Sequence, residues 1–265
     1  RLSGGANMET WSFQYADEDL ILRRLPFSTT DQNSAETSET CIPIEMEASV
    51  IHRAAEAGVR VPEVVGVLDA SDGFGRGFLM SHVEGETFPG KIQSSDDYAV
   101  LRSDFVNACV DQLALLHEIA PGPTLKSLPV LTPEKALNDL HQRYRESGEC
   151  SVYFELGFSW LRQNLPEAPP SPRLLHGDFR LGNLIVSAKR IEAVLDWETS
   201  HLGDPAQDLA YLCVPAWRFA NYDKPVAGIG EIDDLLAAYA QRTGTHISPE
   251  RLKFWLVYST LWWGC

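Results

Sequence analysis

HGDFRLGN, residues 176–183, places an aspartate and an asparagine five positions apart, and thirteen residues beyond Asn183 stands Asp196, in AVLDWE. Moving a phosphoryl group asks little covalent chemistry of a protein. It asks for a carboxylate that orients and deprotonates the acceptor hydroxyl, and for oxygen ligands to Mg2+. Asp178, Asn183 and Asp196 supply that set, at the D-x-x-x-x-N spacing of a phosphoryl-transfer catalytic loop, with the later aspartate at a strand end where a metal ligand belongs. The bland alternative is a polar turn in which His176 and Asp178 are satisfied locally and Asn183 is a turn residue.

Outward from this stretch, NLIVSAKRIEAVLDW reads as two short strands turning at Ser187–Arg190, so the octapeptide sits on a loop before a hairpin. A proline-rich connector, LPEAPPSP (165–172), leads into it. The first eighty residues alternate β-type runs with turns at 10–16, 19–25, 64–70 and 77–83. One helix interrupts them, roughly 44–57, with Met46, Val50, Ile51 and Ala54 on its apolar stripe and Gly58 as its stop. The segment 28–40, STTDQNSAETSET, has scarcely an apolar side chain and reads as a mobile loop. After residue 84 the periods lengthen, as in 97–119 with Leu101, Phe105, Cys109 and Leu113, and the second part is expected to be mainly helical.

Composition sets the class. At 265 residues and 44% hydrophobic the chain can bury a real core, and it contains no run of about 18 apolar residues such as a membrane span needs. With 22 basic against 37 acidic residues it carries a net charge of −15, which repels nucleic acid and anionic membrane. Five scattered cysteines make neither a paired secretory framework nor a C-x-x-C zinc spacing, so a reducing cytoplasm is expected. The first residue is not Met, and LVYSTLWWGC breaks off inside an apolar helical run, so residues are expected beyond the ends.

HGDFRLGNLIV followed by AVLDWETSHLGDPAQDLAYL resembles the aminoglycoside phosphotransferase family, also called choline/aminoglycoside kinases, in wording close to bacterial phosphotransferases related to the kinase-like domain joined to acyl-CoA dehydrogenases. The likeness runs from about Arg1 to Tyr211. It implies an α+β, bilobal protein-kinase-like fold, with a small, mainly antiparallel-sheet lobe over 1–83 that binds nucleotide and a larger helical lobe over 84–265 that holds the catalytic loop and the acceptor. It further implies ATP and Mg2+, with Asp178 as catalytic base, Asn183 and Asp196 as metal ligands and His176 as a brace of the loop. Asp208 matches an aspartate that in such folds holds the loop through backbone hydrogen bonds. Asp204, in DPAQ, has its own explanation as a helix N-cap before proline. Glu198 reads equally well as a group reaching metal or acceptor and as a solvated glutamate.

On the nucleotide side, Gly4 and Gly5 in RLSGGANMETWSF could be a simple hairpin turn. The resemblance makes Ser3, Gly4, Gly5 and Asn7 part of a flap over ATP, where glycine lets backbone N–H groups approach phosphate. It likewise assigns Arg23 to the phosphates with Glu47 as its helix partner, Glu45 being the rival. Arg24, on the opposite face by the period of two, is expected to face solvent. FLMSHVEGE (78–86) becomes the connection between lobes, with the backbone of Ser81 and Val83 at the adenine edge and Met80 behind it. GFGRG (73–77) is a turn between strands and not a dinucleotide fingerprint.

Gly177 stands where regulated protein kinases carry the arginine that holds a phosphorylated activation loop. Only eleven residues separate Asp196 from Asp208, too few for such a loop, so a small-molecule kinase is favoured over a protein kinase. Arg180, two residues after the base, is a candidate catalytic residue that steadies the transferring phosphate, or else a surface arginine paired with a neighbouring acid. The acceptor is expected to be a small-molecule hydroxyl. Trp217, Phe219, Tyr222, Trp255, Tyr258, Trp262 and Trp263 could line its pocket, although aromatics at helical spacing are more often core. The dehydrogenase-linked wording favours a metabolite over an antibiotic. The rival from another class is a non-catalytic nucleotide-binding module, against which stand the three intact loop and metal positions.

Overall fold

The computed structural model describes residues 8–26 and 41–265. Strands β1 (Glu9–Tyr15) and β2 (Glu18–Arg24) form a hairpin, followed by helix α1 (Ile44–Glu56) and strands β3 (Val64–Val67) and β4 (Gly77–Ser81). These strands make one antiparallel sheet in the order β1-β2-β4-β3. α1 lies against β3 and β4, burying Ile44, Ala48, Val50, Ile51 and Ala54. Gly58 follows the helix at φ +89, a conformation that glycine adopts without the Cβ penalty.

The predicted strand at 64–70 stops early, at Val67. Asp69 accepts from the Ser71 amide and exchanges a second bond with Asp72, so the chain enters a 3-10 turn over Ala70–Asp72 instead of extending. Arg24 departs from its predicted exposure as well. It is half-buried and pairs with Glu9, its partner across the β1–β2 hairpin. Ser3, Gly4, Gly5 and Asn7, and the predicted mobile loop at 28–40, lie outside the described residues.

Helices α2 (Pro89–Ser94), α3 (Ala99–His117), α4 (Pro133–Glu146) and α5 (Val152–Gln163) open the larger lobe. Short strands follow: β5 (Arg173–Leu175), β6 (Leu184–Val186), β7 (Ile191–Val194) and β8 (His201–Gly203). β6 pairs with β7 as the sequence predicts, and β5 pairs with β8, which it does not. Helices α6 (Ala206–Leu212), α7 (Ile232–Thr243) and α8 (Pro249–Gly264) complete the lobe. Thr132 caps α4 and Ser248 caps α8, each followed by proline at the first helical position.

The small sheet and the helical remainder are the two lobes of a protein-kinase-like fold. They share one hydrophobic core and are tied by specific hydrogen bonds: the Ile42 amide donates to the Glu198 carbonyl at 2.7 Å, the Val194 amide donates to the Arg60 carbonyl at 2.8 Å, and the Arg60 amide donates to the Gln112 side chain at 2.8 Å. They set both ends of α1 against the larger lobe, its start beside Glu198 just past β7, where the loop of interest sits.

Candidate active site

From Gly177 to Asn183 the chain alternates buried and less buried residues. Phe179 (1% exposed) and Leu181 (0%) are driven into the core, and burying side chains of this size contributes roughly 1.5–3 kcal/mol each. Asp178 and Arg180, between them, are left to face the cleft.

Asp208 fixes the start of the loop. Fully buried on α6, it accepts the amides of His176 and Gly177, each at 2.9 Å, and faces His117 Nε2 at 3.2 Å. Burial alone would raise its pKa, but His117 and the His176 amide outweigh burial and hold the carboxyl below its ordinary range. His176 is also fully buried. Its ring contacts the Leu195 carbonyl at 2.9 Å, accepts the Asp178 amide through Nδ1 at 3.1 Å and lies 4.6 Å from the Trp197 ring. Burial lowers its pKa, so it holds the loop as a neutral imidazole. Gly177 has φ +85, and a Cβ there would stand 2.5 Å from the Thr199 carbonyl, so the turn needs glycine whatever the demands of regulation.

The three motif residues converge. Asn183 donates its amide to the Asp178 carbonyl at 3.0 Å and to its carboxylate at 2.6 Å, which leaves its own side-chain oxygen for another partner. Burial raises the Asp178 pKa above the carboxylate range, with Arg180 opposing. Asp196 follows β7 in a left-handed conformation, φ +67, which costs a non-glycine residue about 1 kcal/mol or more and turns its carboxylate toward the smaller lobe.

There it meets Arg23. The guanidinium, 11% exposed, lies 3.0 Å from Glu47, 2.8 Å from Asp196 and 2.8 Å from Glu198. Burial would favour its neutral form, but these three carboxylates keep it firmly charged. Glu47 is pushed up to about 7 by burial, although Arg23 draws it toward ionisation. Glu198 is thus neither solvated nor idle: it joins the lobes through Arg23 and through its carbonyl. Glu45, the rival to Glu47, pairs with Arg76 on the exposed side.

Four carboxylates therefore face two guanidiniums, and the negative excess suits a bound cation. One Asp196 oxygen is committed to Arg23 and the other is not. Together with the Asn183 oxygen this is the sparse oxygen set that Mg2+ uses when phosphates complete its shell. Among the described residues no group of three His, Cys, Asp or Glu side chains could hold a metal by itself.

Arg180 is held differently from a phosphate clamp. Its Nε lies 3.2 Å from the Asp178 carboxylate, and its guanidinium covers the Trp217 ring at 4.7 Å. It passes over Gly182, where a Cβ would collide with it. The neighbouring acid that it pairs with is the proposed base itself. At the other end of the cleft Met80 is half-buried in β4, and the Ser81 amide donates to the Glu63 carbonyl at 2.8 Å, so that N–H is already paired and not open to an adenine edge. Val83 is half-buried just past the strand.

Asp204 does more than cap. One oxygen accepts the Ala206 amide, while the other takes Arg251 and the Trp255 indole, tying α6 to α8. Sequence reasoning missed Tyr211, whose hydroxyl adjoins Asp178: burial and that carboxylate raise its pKa, and the contact between them falls short of full hydrogen-bond alignment. The DLAYL pattern held no signal for it beyond an aromatic one turn after Asp208.

Residues 1–255 match the phosphotransferase enzyme family. Acyl-CoA dehydrogenase family member 10 of Mus musculus is 30% identical over 96% of this chain and 24% of its own length. The chain spans about a quarter of the length of these curated relatives. Among solved structures, a Ralstonia eutropha protein described as an aminoglycoside phosphotransferase superposes with a TM-score of 0.69 at 20% identity, over 97% of this chain and 82% of that one. An aminoglycoside phosphotransferase from Streptomyces rimosus, in complex with ADP and streptomycin, gives 0.61 at 19% identity, over 99% and 95%.

Proposed function

The chain belongs to the phosphotransferase enzyme family, and from that premise we propose that it moves the γ-phosphoryl group of ATP, with Mg2+, to a hydroxyl of a small molecule. The observation that carries this reading is the convergence of Asp178, Asn183 and Asp196 under Arg23, drawn from both lobes.

Asp178 accepts the proton of the acceptor hydroxyl as its oxygen bonds to the γ-phosphorus and the bond to the ADP oxygen breaks. Its raised pKa suits a base that must take up a proton and then release it. Asn183 holds the Asp178 carboxylate in one orientation and, with Asp196, would bind the metal, which when present neutralises phosphate charge. Arg23, fixed by Glu47, positions the phosphates, and the resemblance assigns Ser3, Gly4, Gly5 and Asn7 to the same nucleotide. Met80, Ser81 and Val83 receive the adenine. We place the lobe boundary between Val83 and Glu84, just after β4 ends. The ADP held by the Streptomyces rimosus neighbour supports a nucleotide in this cleft.

Residues 200–214 are all buried, and β8 is stitched to β5, so the segment between Asp196 and Asp208 offers no exposed phosphorylatable switch. This supports a small-molecule acceptor over a protein kinase. No helix of the described residues is long and apolar enough to cross a membrane, no disulfide joins the cysteines, and we place the reaction in the cytoplasm, where thiols stay reduced. The test is ATP consumption with and without Mg2+ across a library of hydroxyl compounds, read by 31P NMR. Transfer to at least one alcohol is expected; nucleotide binding without transfer to any would make the chain a non-catalytic module.

A further inference from the structure

Beside the catalytic loop lies a cavity of about 580 Å3, walled by α4, α6 and α8, that reaches Gly177, the residue before Asp178, and Tyr211, whose hydroxyl adjoins Asp178. Three of its lining residues, one from each helix, carry a buried polar atom with no hydrogen-bond partner: Arg143 Nε, Tyr211 Oη and Ser259 Oγ. Tyr211 is 2% exposed and Ser259 0%. Unpaired buried polar atoms are costly and uncommon, so three around one cavity beside a catalytic base point to a ligand that satisfies them.

The chemistry of the three narrows that ligand. The Arg143 Nε–H can only donate, so its partner is an acceptor oxygen. Of the other charges of the wall, Lys135 is paired with Asp139, while Glu146 keeps its charge, accepts the Gln142 amide and is exposed to solvent. Arg143 stacks on Trp262 at 5.2 Å and donates to the Trp262 carbonyl, but has no carboxylate partner among the described residues. In a chain of net charge −15 this cavity is formally neutral: the charges of Lys135, Asp139 and Glu146 sit on exposed side chains, and Arg143 is the half-buried one among them. A polycationic amino sugar gains nothing from such a wall.

We infer that the acceptor is an alcohol that also carries a carboxylate. The carboxylate meets Arg143 and Ser259, the carbon body packs on Tyr258 and Trp262, and the reacting hydroxyl is presented between Tyr211 and Asp178. The acceptor O–H proton passes to Asp178, its oxygen gains the bond to the γ-phosphorus, and ADP departs with the electrons of the broken P–O bond. The inference rests on the phosphotransferase reading and makes Arg143, Ser259 and Tyr211 positioning residues for the acceptor.

The experiment measures phosphoryl transfer from ATP, with Mg2+, to hydroxy acids of graded length, to the matching diols that lack only the carboxylate, and to amino alcohols and aminoglycosides. Hydroxy acids are expected to exceed their diols by about tenfold or more in kcat/KM, the value of one good charged hydrogen bond. Arg143→Gln should erase that ratio by raising KM for the acid while KM for ATP holds. Ser259→Ala should raise the same KM, and Tyr211→Phe should lower kcat. Arg143→Lys, which keeps charge and stem but loses the fork, serves if the glutamine variant does not fold and should lose part of the ratio. Transfer only to amino alcohols, or an acid-to-diol ratio untouched in the Arg143 variants, overturns the inference and leaves the phosphotransferase reading standing. ATP that is bound but transferred to nothing overturns both.

Discussion

The catalytic loop and the cavity wall behind it, which meet at Gly177, are built on opposite terms. In the loop the buried polar groups are paired: His176 with Leu195 and Asp178, Asp208 with two amides and His117, Asn183 with Asp178. In the wall, Arg143, Tyr211 and Ser259 each leave a buried atom unpaired. The loop is finished before any substrate arrives, whereas the wall is completed by one. Chemistry is preorganised and selectivity is held in reserve, and each half predicts a different response to mutation.

The largest effect should come from the brace. Asp208→Ala strands two amides and His117 in the core, at a cost of roughly 3–5 kcal/mol and a Tm lower by about 10 °C or more. A melting curve that hardly moves would mean that the loop is held by other contacts. Gly177→Ala comes next, since left-handed backbone costs a residue with a Cβ roughly 1–3 kcal/mol and Thr199 must also yield; thermal melting measures it, and an unchanged Tm would show that the turn tolerates a side chain.

The electrostatics of the loop make a finer prediction. Burial raises the Asp178 pKa, so the acid limb of the kcat/KM profile should lie above the ordinary carboxylate range of about 4. Activity is present above that limb and lost as pH falls through it. Arg180 opposes the rise, so Arg180→Gln should move the limb to still higher pH, and a limb that stays put would remove Arg180 from the base's surroundings. In the wall the expected change in stability is the smallest and has the other sign. Ser259→Ala deletes a polar atom that has no partner, so stability should hold or rise by about 1 kcal/mol, and Tyr211→Phe, which loses only an ill-aligned contact with Asp178, should leave Tm nearly unchanged, while acceptor KM or kcat worsens. A loss of stability like that of Asp208→Ala would abolish the contrast.

How much of this was legible depended on whether the signal was local. The β1–β2 hairpin, α1, α3 and the β6–β7 hairpin follow from apolar runs bounded by turn and stop signals, and their observed ends lie within a few residues of the expected ones. β5 and β8, three residues each, carry too little pattern to be read, and β3 was overcalled because Asp69 captures the chain into a turn. Asp178, Asn183 and Asp196 stood out by type and spacing, and the resemblance paired Arg23 with Glu47. The wall was invisible for a physical reason. Its residues come from α4, α6 and α8, and an unpaired atom is a property of how those helices pack, which no spacing encodes. Arg180 shows the same limit: its sequence position suggested a phosphate clamp, while the ring beneath it, Trp217, looked like core.

The central claim, that Asp178 is the base of a phosphoryl transfer to an alcohol, is tested most directly by Asp178→Asn. 31P NMR of ATP, Mg2+ and a competent alcohol, run beside nucleotide-binding and melting measurements, should show turnover lower by about 10²–10⁴-fold with ATP affinity and Tm retained. Turnover at the wild-type rate in that variant would contradict the account.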